Sequence, residues 1–307
     1  QALETLRGID PQALPEAADG ARRLLHLGTV LEAHADRLRW RHPEVAVEAK
    51  ALARNAIRMV GGPKHFPECA VPGGVRTIPT DADRAALAQA LESLLPSLAA
   101  VVDRELAEVD DSGLPSWTGL DLALVDEDRV PDLLGSHARA VDAAGVEVAL
   151  FAAGEWPARV AESMPGSITP RPYLVEAGTA AGAFRVGPVS QLRVGPLWTP
   201  LAEDAQERWL LGPQDATSAR AVIALHAAES MLLLCADGTT WEGPARTEPR
   251  GIPQDGAVGV GWVDGQRGLL VHAYTAGPDE TLAAAQILTP TAINEAWLAA
   301  FLTEVTG

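Results

Sequence analysis

The sequence predicts a single helix-rich α+β domain spanning residues 1–307. Three observations indicate this fold class: apolar residues recur at helical spacing in the first third, strand-like runs occupy the middle, and a β-meander precedes a last helix. We therefore expect a helical part at 1–112, a mixed α/β part at 118–200, and a helix, a β-meander and a closing helix at 201–307. No change in composition and no linker separates these parts.

The first third is predicted to contain three helices. Residues 14–40 have apolar residues close to helical spacing, and this helix should end before Pro43. A second helix is expected at about 45–60, closed by the glycine pair that follows it. Thr80 is the predicted N-cap of a long third helix, in which Pro96 should produce a kink.

The middle of the chain is predicted to form a small βαβ unit. The runs "LDLALVD" from Leu120 and "VEVALFAAG" from Val146 are typical of strands. The stretch between them, "VPDLLGSHARAVDAAG", has the composition of a helix.

The last third is predicted to be a helix followed by a meander. The helix should cover about 218–235, and two β runs should then meet at a tight turn at Asp264-Gly265. A third strand should end at Pro290, with a closing helix from about Thr291.

Charge and cysteine content limit the partners and the compartment. The formal charge of −17 argues against binding to nucleic acid or to anionic membrane surfaces. The apolar runs are too short to cross a bilayer, and no secretory signal is visible at the first residue, Gln1. Two cysteines cannot form a disulfide framework, so we expect a protein of the reducing cytoplasm.

The stretch "GGPKHFPECAVPGG" at 61–74 is a stiff loop that carries two candidate metal ligands. It has the spacing of neither a Walker loop nor a Rossmann turn, and its three prolines remove backbone donors. His65 and Cys69 lie four residues apart and could ligate a soft or borderline metal. The alternative is a structural loop with a buried thiol.

Two other histidine patterns have both a functional and a structural interpretation. His226 and Glu229 could form an acid–base couple, or a satisfied polar contact between helices. His26 and His34 share one helix face, and the Arg and Glu residues around them predict that this face is exposed to solvent. A G-x-S-x-G motif, as in serine hydrolases, is absent from the sequence.

The order of several motifs resembles that of the large subunit of [NiFe] hydrogenases. That family has a helix pair and then a double-glycine loop like the one at 61–74, followed by a long helix, here from Asp81. Farther along it has a stretch resembling "VGPLWTP" from Val194. Near its end come a glycine–arginine strand and a P-[ST] motif, here "RGLLVH" and "PTAIN". The resemblance implies the large-subunit fold.

The chain departs from that family in its cysteines. The family holds nickel and iron with four thiolates from two C-x-x-C motifs, whereas this sequence has Cys69 and Cys235 and no C-x-x-C pair. We therefore expect no nickel and no turnover of hydrogen. This combination is similar to the HupK/HoxV type of hydrogenase-maturation protein, which looks like the large subunit but lacks the full cysteine set.

The resemblance also implies which residues would hold an Fe(CN)₂CO unit. Arg267 corresponds to the arginine that packs against one cyanide, Thr291 to the Ser or Thr that hydrogen-bonds the second, and Pro290 to the proline beside it. A guanidinium and a hydroxyl are suitable donors to anionic ligands. His65 corresponds to the loop histidine, and Cys69 is the expected ligand if a thiolate of this chain binds iron. Alternatively, Arg267 follows a tight turn and Thr291 caps a helix without any ligand.

The function implied by the resemblance is that of a non-catalytic maturation scaffold or chaperone. It would bind Fe(CN)₂CO transiently and act with hydrogenase maturation proteins and a hydrogenase large-subunit precursor. Two alternatives stay open: a metal-free paralogue that only binds partner proteins, and an incomplete catalytic subunit.

Overall fold

The computed structural model describes residues 1–61, 68–108, 117–248, 251 and 253–306. The helices are α1 (Ala2–Leu6), α2 (Glu16–Leu38), α3 (Pro43–Gly61), α4 (Asp81–Ala107), α5 (Trp156–Arg159), α6 (Gly178–Ala181), α7 (Pro188–Arg193), α8 (Pro200–Leu211), α9 (Ala216–Ala236), α10 (Pro290–Ile293) and α11 (Glu295–Thr306). The strands are β1 (Ala70–Val71), β2 (Gly74–Val75), β3 (Leu120–Val125), β4 (His137–Val141), β5 (Glu147–Ala152), β6 (Val160–Glu162), β7 (Pro172–Leu174), β8 (Phe184–Arg185), β9 (Val258–Gly265), β10 (Gly268–Ala276) and β11 (Leu282–Leu288).

The long helices α2, α3, α4 and α9 pack into one apolar core. Leu and Ala side chains from their inner faces are buried together, and α9 lies at the centre, with most of its residues buried. The three helices expected in the first third are confirmed. Thr80 caps α4 as predicted, because its hydroxyl oxygen accepts a hydrogen bond from the Asp83 backbone N–H at 3.2 Å. The helix continues through Pro96.

The predicted βαβ unit is wrong. The segment expected to be helical contains a turn and then β4, which pairs antiparallel with both β3 and β5. The sheet order is β5-β4-β3-β8, and β8 is parallel to β3. Pairing with two neighbouring strands outweighs the helix-favouring composition of the segment.

The meander at 258–288 is confirmed, with a different turn. Strands β9, β10 and β11 form an antiparallel sheet with β10 in the middle. The β9–β10 register pairs Gly265 with Gly268, so the two-residue loop is Gln266-Arg267 and not Asp264-Gly265. This register places Arg267 at the tip of the hairpin.

A second apolar core lies beneath the sheets. It joins residues of β3, β4 and β5 to residues of β8 and the meander, and it includes Trp156, Trp262 and Ile293. The chain is therefore a helix-rich α+β fold, as predicted, with a helical layer and a β layer.

Two helices, α4 and α9, are long and apolar enough to span a membrane by length and composition alone. The most apolar window of α9 is 72% buried within the fold. The central helix of a soluble protein has the same properties, so this observation is weak evidence for a membrane span. The cytoplasmic location stays a prediction.

Candidate functional site

A cleft of about 580 Å³ lies where the helical layer meets the end of the chain. Five parts of the fold form its walls: one face of α2, the β8–α7 connection, the start of α9, the tip of the β9–β10 hairpin, and α10 with α11. The lining residues are Ala33, His34, Asp36, Arg37, Arg185, Val186, Gly187, Pro188, Val189, Ala216, Arg220, Gln266, Arg267, Pro290, Thr291, Asn294, Trp297 and Leu298.

The structure brings three of the predicted site residues together in this cleft. Arg267, Pro290 and Thr291 all line it, although they come from two different elements. Cys69 does not line the cleft. His65 lies outside the residues that the structure describes.

Two glycines allow the hairpin tip to approach the β8–α7 connection. Gly268 has φ +112, and a Cβ there would lie 2.6 Å from the backbone nitrogen of Gly187. Gly187 has φ +120, and a Cβ there would lie 3.1 Å from the carbonyl oxygen of Arg267. Close backbone contact of this kind needs glycine on both sides. The contact fixes where the Arg267 side chain leaves the hairpin.

Asn294 anchors the start of the last helices against the same connection. Its Nδ2 donates to the Val186 carbonyl oxygen at 3.0 Å, and the Val186 N–H donates to its Oδ1 at 2.8 Å. Thr289 caps α10 by accepting from the Ala292 N–H at 3.3 Å. These contacts position Pro290 and Thr291 at the cleft, and they explain the "TPTAIN" sequence in structural terms.

The cleft wall is formed by the first of two Val-Gly-Pro stretches in the chain. Val186, Gly187 and Pro188 line it, whereas the stretch from Val194, which the resemblance singled out, does not. Val194 is buried beside β3 and β4. The two copies differ in their fourth residue, Val189 in the first and Leu197 in the second, and only the tertiary structure shows which copy lines the cleft.

The cleft is strongly cationic. Arg37, Arg220 and Arg267 line it, and their guanidinium groups make no hydrogen bond or ion pair to any residue in the described ranges. Arg185 is bound to Asp121, with Nε to Oδ1 at 2.6 Å, and the carboxylate of Asp36 is paired with Lys50 at 2.5 Å. The free charges in the cleft are therefore positive, although the whole chain carries −17.

His34 belongs to this cleft, and the prediction that it is exposed to solvent is wrong. It is 1% exposed, because α2 turns this face towards α9. Burial, reinforced by the charges of Arg220 and Arg37, lowers its pKa from 6.5 to about 3. It is a neutral side chain whose Nε2 is buried without a hydrogen-bond partner in the described part of the chain.

Four residues of the cleft are not identifiable from the sequence: His34 as a buried residue, Arg37, Arg220 and Trp297. Helical periodicity shows which residues share a face of α2, but not that this face lines one cleft with α9 and α11. No local signal in the sequence brings Arg37 and Arg220 together.

Cys69 is a buried thiol in the helical core. It is 2% exposed, and burial raises the pKa of the thiol, which disfavours the thiolate that binds metal. Within the described ranges, no group of three or more His, Cys, Asp or Glu side chains is placed to hold a metal ion.

His226 and Glu229 make structural contacts. Both carboxylate oxygens of Glu229 accept hydrogen bonds from the first turn of α8, from Leu201 N at 3.0 Å and Ala202 N at 2.8 Å. His226 Nδ1 lies 2.8 Å from the hydroxyl of Thr199. Both side chains therefore make polar contacts between α9 and the start of α8, which is the structural alternative, and they do not form an acid–base couple.

A second cavity, also about 580 Å³, lies between α1, α2, β9 and β10. Its cations are neutralised: Arg22 is bound to Glu4 at 2.5 Å, and Arg23 to Asp19 at 2.7 Å and Asp132 at 2.8 Å. None of the predicted site residues that the structure describes lines it. The cleft around Arg267 is therefore the better candidate for binding a charged ligand.

The homologues of the chain are hydrogenase subunits, although no protein-family profile matches it. It is 26% identical over 268 residues to an F420-non-reducing hydrogenase protein of Methanothermobacter thermautotrophicus, covering 82% of this chain and 56% of the relative. It is 29% identical over 273 residues to the NAD-reducing hydrogenase HoxS subunit beta of Cupriavidus necator, covering 81% and 55%. The chain thus spans little more than half the length of these curated relatives.

Solved structures have the same fold. An NAD⁺-reducing [NiFe]-hydrogenase in the H₂-reduced state matches with a TM-score of 0.85 and 25% identity, over 99% of this chain and 75% of the other. A [NiFeSe]-hydrogenase from Dm. baculatum matches with a TM-score of 0.66 and 15% identity, over 91% and 73%. The expected fold, similar to the [NiFe] hydrogenase large subunit, is confirmed.

Proposed function

We propose that this hydrogenase-like chain is a non-catalytic maturation scaffold that binds an Fe(CN)₂CO unit in the cleft around Arg267. One observation carries the proposal: the two residues that the family resemblance assigns to cyanide, Arg267 and Thr291, line the same cleft although 23 positions of sequence lie between them. The guanidinium of Arg267 has no partner in the described part of the chain.

The side chains of the cleft would hold such a unit through its ligands. The Arg267 guanidinium and the Thr291 hydroxyl donate hydrogen bonds, and the nitrogen of a metal-bound cyanide accepts them. Neither cysteine of the chain lines the cleft, so these contacts involve no metal–thiolate bond. Binding through hydrogen bonds is reversible, which suits a protein that hands its cargo on in the cytoplasm to a large-subunit precursor.

The test is to produce the chain anaerobically together with hydrogenase maturation proteins and to analyse the purified protein for metals and by infrared spectroscopy. We expect iron without nickel, and infrared bands of metal-bound cyanide and carbon monoxide. Iron-free protein without these bands would contradict the proposal and favour a metal-free module that binds partner proteins.

Catalysis by a hydrogenase subunit is the second candidate function, and the similarity of the chain to hydrogenase subunits favours it. Both relatives described above are hydrogenase subunits, and this chain aligns with 56% and 55% of their lengths. A catalytic subunit would contain nickel in the same metal analysis and would reduce a viologen dye with hydrogen. Either result would replace the scaffold proposal.

Iron ligation by Cys69 stays a prediction. It is the alternative to binding through hydrogen bonds alone, and it has its own matched test. Cys69→Ala should remove the infrared bands if this thiolate binds iron, whereas Cys235→Ala, at the other buried cysteine, should keep them. Retained bands in Cys69→Ala would show that Cys69 is not a ligand.

A further inference from the structure

The lining of the Arg267 cleft has an excess of hydrogen-bond donors. Three guanidinium groups, on Arg37, Arg220 and Arg267, face it without partners in the described residues. The indole Nε1 of Trp297 is also buried without a partner, and an indole N–H can only donate. The neutral His34 has an unpartnered Nε2 in the same lining. Groups of this kind are complementary to a ligand that is rich in acceptors.

Arg37 and Arg220 line the same cleft, and their like charges repel each other. Burial and the charge of Arg37 both lower the pKa of Arg220, and the charge of Asp215 opposes this shift with a smaller effect, so the charged form of Arg220 is disfavoured in the folded chain. His34, in the same lining, stays neutral, so it does not add a further charge. An anion in the cleft would remove this repulsion, and its binding would be correspondingly favourable.

Charge counting then limits what the ligand can be. Iron(II) with two cyanides and one carbon monoxide has no net charge, because carbon monoxide is neutral and each cyanide carries one negative charge. A neutral complex would leave the unpaired guanidinium groups uncompensated. Among the lining residues in the described ranges, the one carboxylate, that of Asp36, is already paired with Lys50.

We propose that Arg37 and Arg220, together with Arg267, make this cleft a site for a compact anion with two or more negative charges. The identity of the cargo rests on the proposed function. If the cargo is the iron unit, it binds here with further anionic ligands and not as the neutral complex. Arg37 and Arg220 bind the negative charge of the ligand and select for it, whereas Arg267 and Thr291 contact the cyanides.

The test is calorimetric titration of the purified, iron-free chain at constant ionic strength with three probes: hexacyanoferrate(II), inorganic phosphate and thiocyanate. Constant ionic strength is needed because salt screens charges at exposed positions such as Arg37. We expect saturable one-site binding of hexacyanoferrate(II), at least roughly tenfold tighter than binding of thiocyanate, which has a similar end group but one charge. Equally tight binding of phosphate would also support the charge requirement, and would show that cyanide is not itself selected.

Three variants locate the site. Arg37→Gln and Arg220→Gln should each weaken binding of hexacyanoferrate(II) by roughly tenfold, equivalent to about 1.4 kcal/mol. Arg39→Gln is the matched control, because Arg39 is on the same stretch of chain, stacks over Trp40 and does not line the cleft. If Arg220→Gln fails to fold, Arg37→Gln at its exposed position carries the test alone.

Equal effects of Arg37→Gln and Arg39→Gln, or thiocyanate binding as tightly as hexacyanoferrate(II), would overturn the inference. The titrations use iron-free protein, so they are independent of iron carriage. Anion binding without infrared bands would remove the proposed function and keep this inference. Infrared bands that are identical in wild type and in Arg37→Gln, with no anion binding, would keep the proposed function and remove this inference.

Discussion

His34 is a neutral histidine in a cleft of arginines, and its protonation is coupled to folding. In the unfolded chain it takes up a proton near pH 6.5, whereas in the folded chain burial, Arg220 and Arg37 delay this to about pH 3. Acid therefore favours the unfolded state through this residue. Its contribution to stability is complete above pH 6.5 and is lost as the pH falls towards 3.

His34→Gln should flatten the pH dependence of stability in that window. We expect the slope of unfolding free energy against pH to fall by up to about 1.4 kcal/mol per pH unit between pH 4 and 6.5, because one proton fewer is linked to unfolding. Urea unfolding at a series of pH values measures the slope in both proteins. Parallel curves for wild type and variant would show that His34 does not titrate in this way.

Single residues of the site were predictable only where a motif marked them. Arg267 and Thr291 stand in short patterns, "RGLLVH" and "PTAIN", that identify them without knowledge of the fold. Arg37 and Arg220 are ordinary helix-surface arginines in sequence terms, and they become a pair only when α2 packs on α9. Their role depends on tertiary structure and could not be read from the sequence.

At the level of elements, two hydrogen bonds between the Asn294 side chain and the Val186 backbone, called here the clamp, join the last helices to the rest of the fold. Asn294→Ala removes both hydrogen bonds and leaves the polar backbone groups of Val186, which is 6% exposed, without these partners. We expect a loss of about 1–3 kcal/mol in unfolding free energy. Asn55→Ala, on α3 and away from the cleft, should change stability by less than about 0.5 kcal/mol.

Chemical denaturation of the two asparagine variants measures this difference. A loss confined to Asn294→Ala, accompanied by weaker anion binding in the cleft, is the expected result. Equal stability of the two variants would mean that the clamp does not hold α10 in place.

The hairpin tip depends on Gly268 in a way that a matched glycine can test. A Cβ at Gly268 would lie 2.5 Å from Val186 Cγ2, and its φ of +112 disfavours any L side chain. Gly145 also has a positive φ, +81, but a Cβ there would have no atom within 4 Å. We expect Gly145→Ala to cost about 1–2 kcal/mol, from the backbone alone.

Gly268→Ala should cost about 2–5 kcal/mol, because steric overlap adds to the backbone strain. It should also displace Arg267 and weaken binding of hexacyanoferrate(II), whereas Gly145→Ala should not. Thermal unfolding and the same titration give both values. Similar losses for the two variants would exclude the close backbone contact.

Helices and the meander were predictable from periodicity, while the middle sheet was not. The apolar residues of α2, α4 and α9 predict these helices because α2 and α4 each bury one face and α9 buries most of its residues. The β4 segment "HARAV" is short, and three of its five residues are Ala or Arg, which favour helices. Its strand conformation comes from pairing with β3 and β5, which no local pattern reveals.

At the scale of the whole molecule, the cleft lies at the junction of two apolar cores. The helices α2 and α9 belong to the helical core. The core of the β layer contains Val186, which lines the cleft, and also Leu269 and Ile293, which lie close in sequence to the lining residues Arg267 and Asn294. Arg37 and Arg220 thus come from one layer and the cyanide-binding candidates from the other. A ligand in the cleft would contact both layers, so its binding should stabilise their packing.

The central claim is that the cleft around Arg267 binds an anionic iron–cyanide unit. Infrared spectra of anaerobically co-produced wild type and Arg267→Gln, taken at equal protein concentration, test it most directly. We expect cyanide bands in the wild type that are shifted or lost in the variant, because the guanidinium donates to a cyanide nitrogen. Cyanide bands of unchanged position and intensity in Arg267→Gln would contradict the claim.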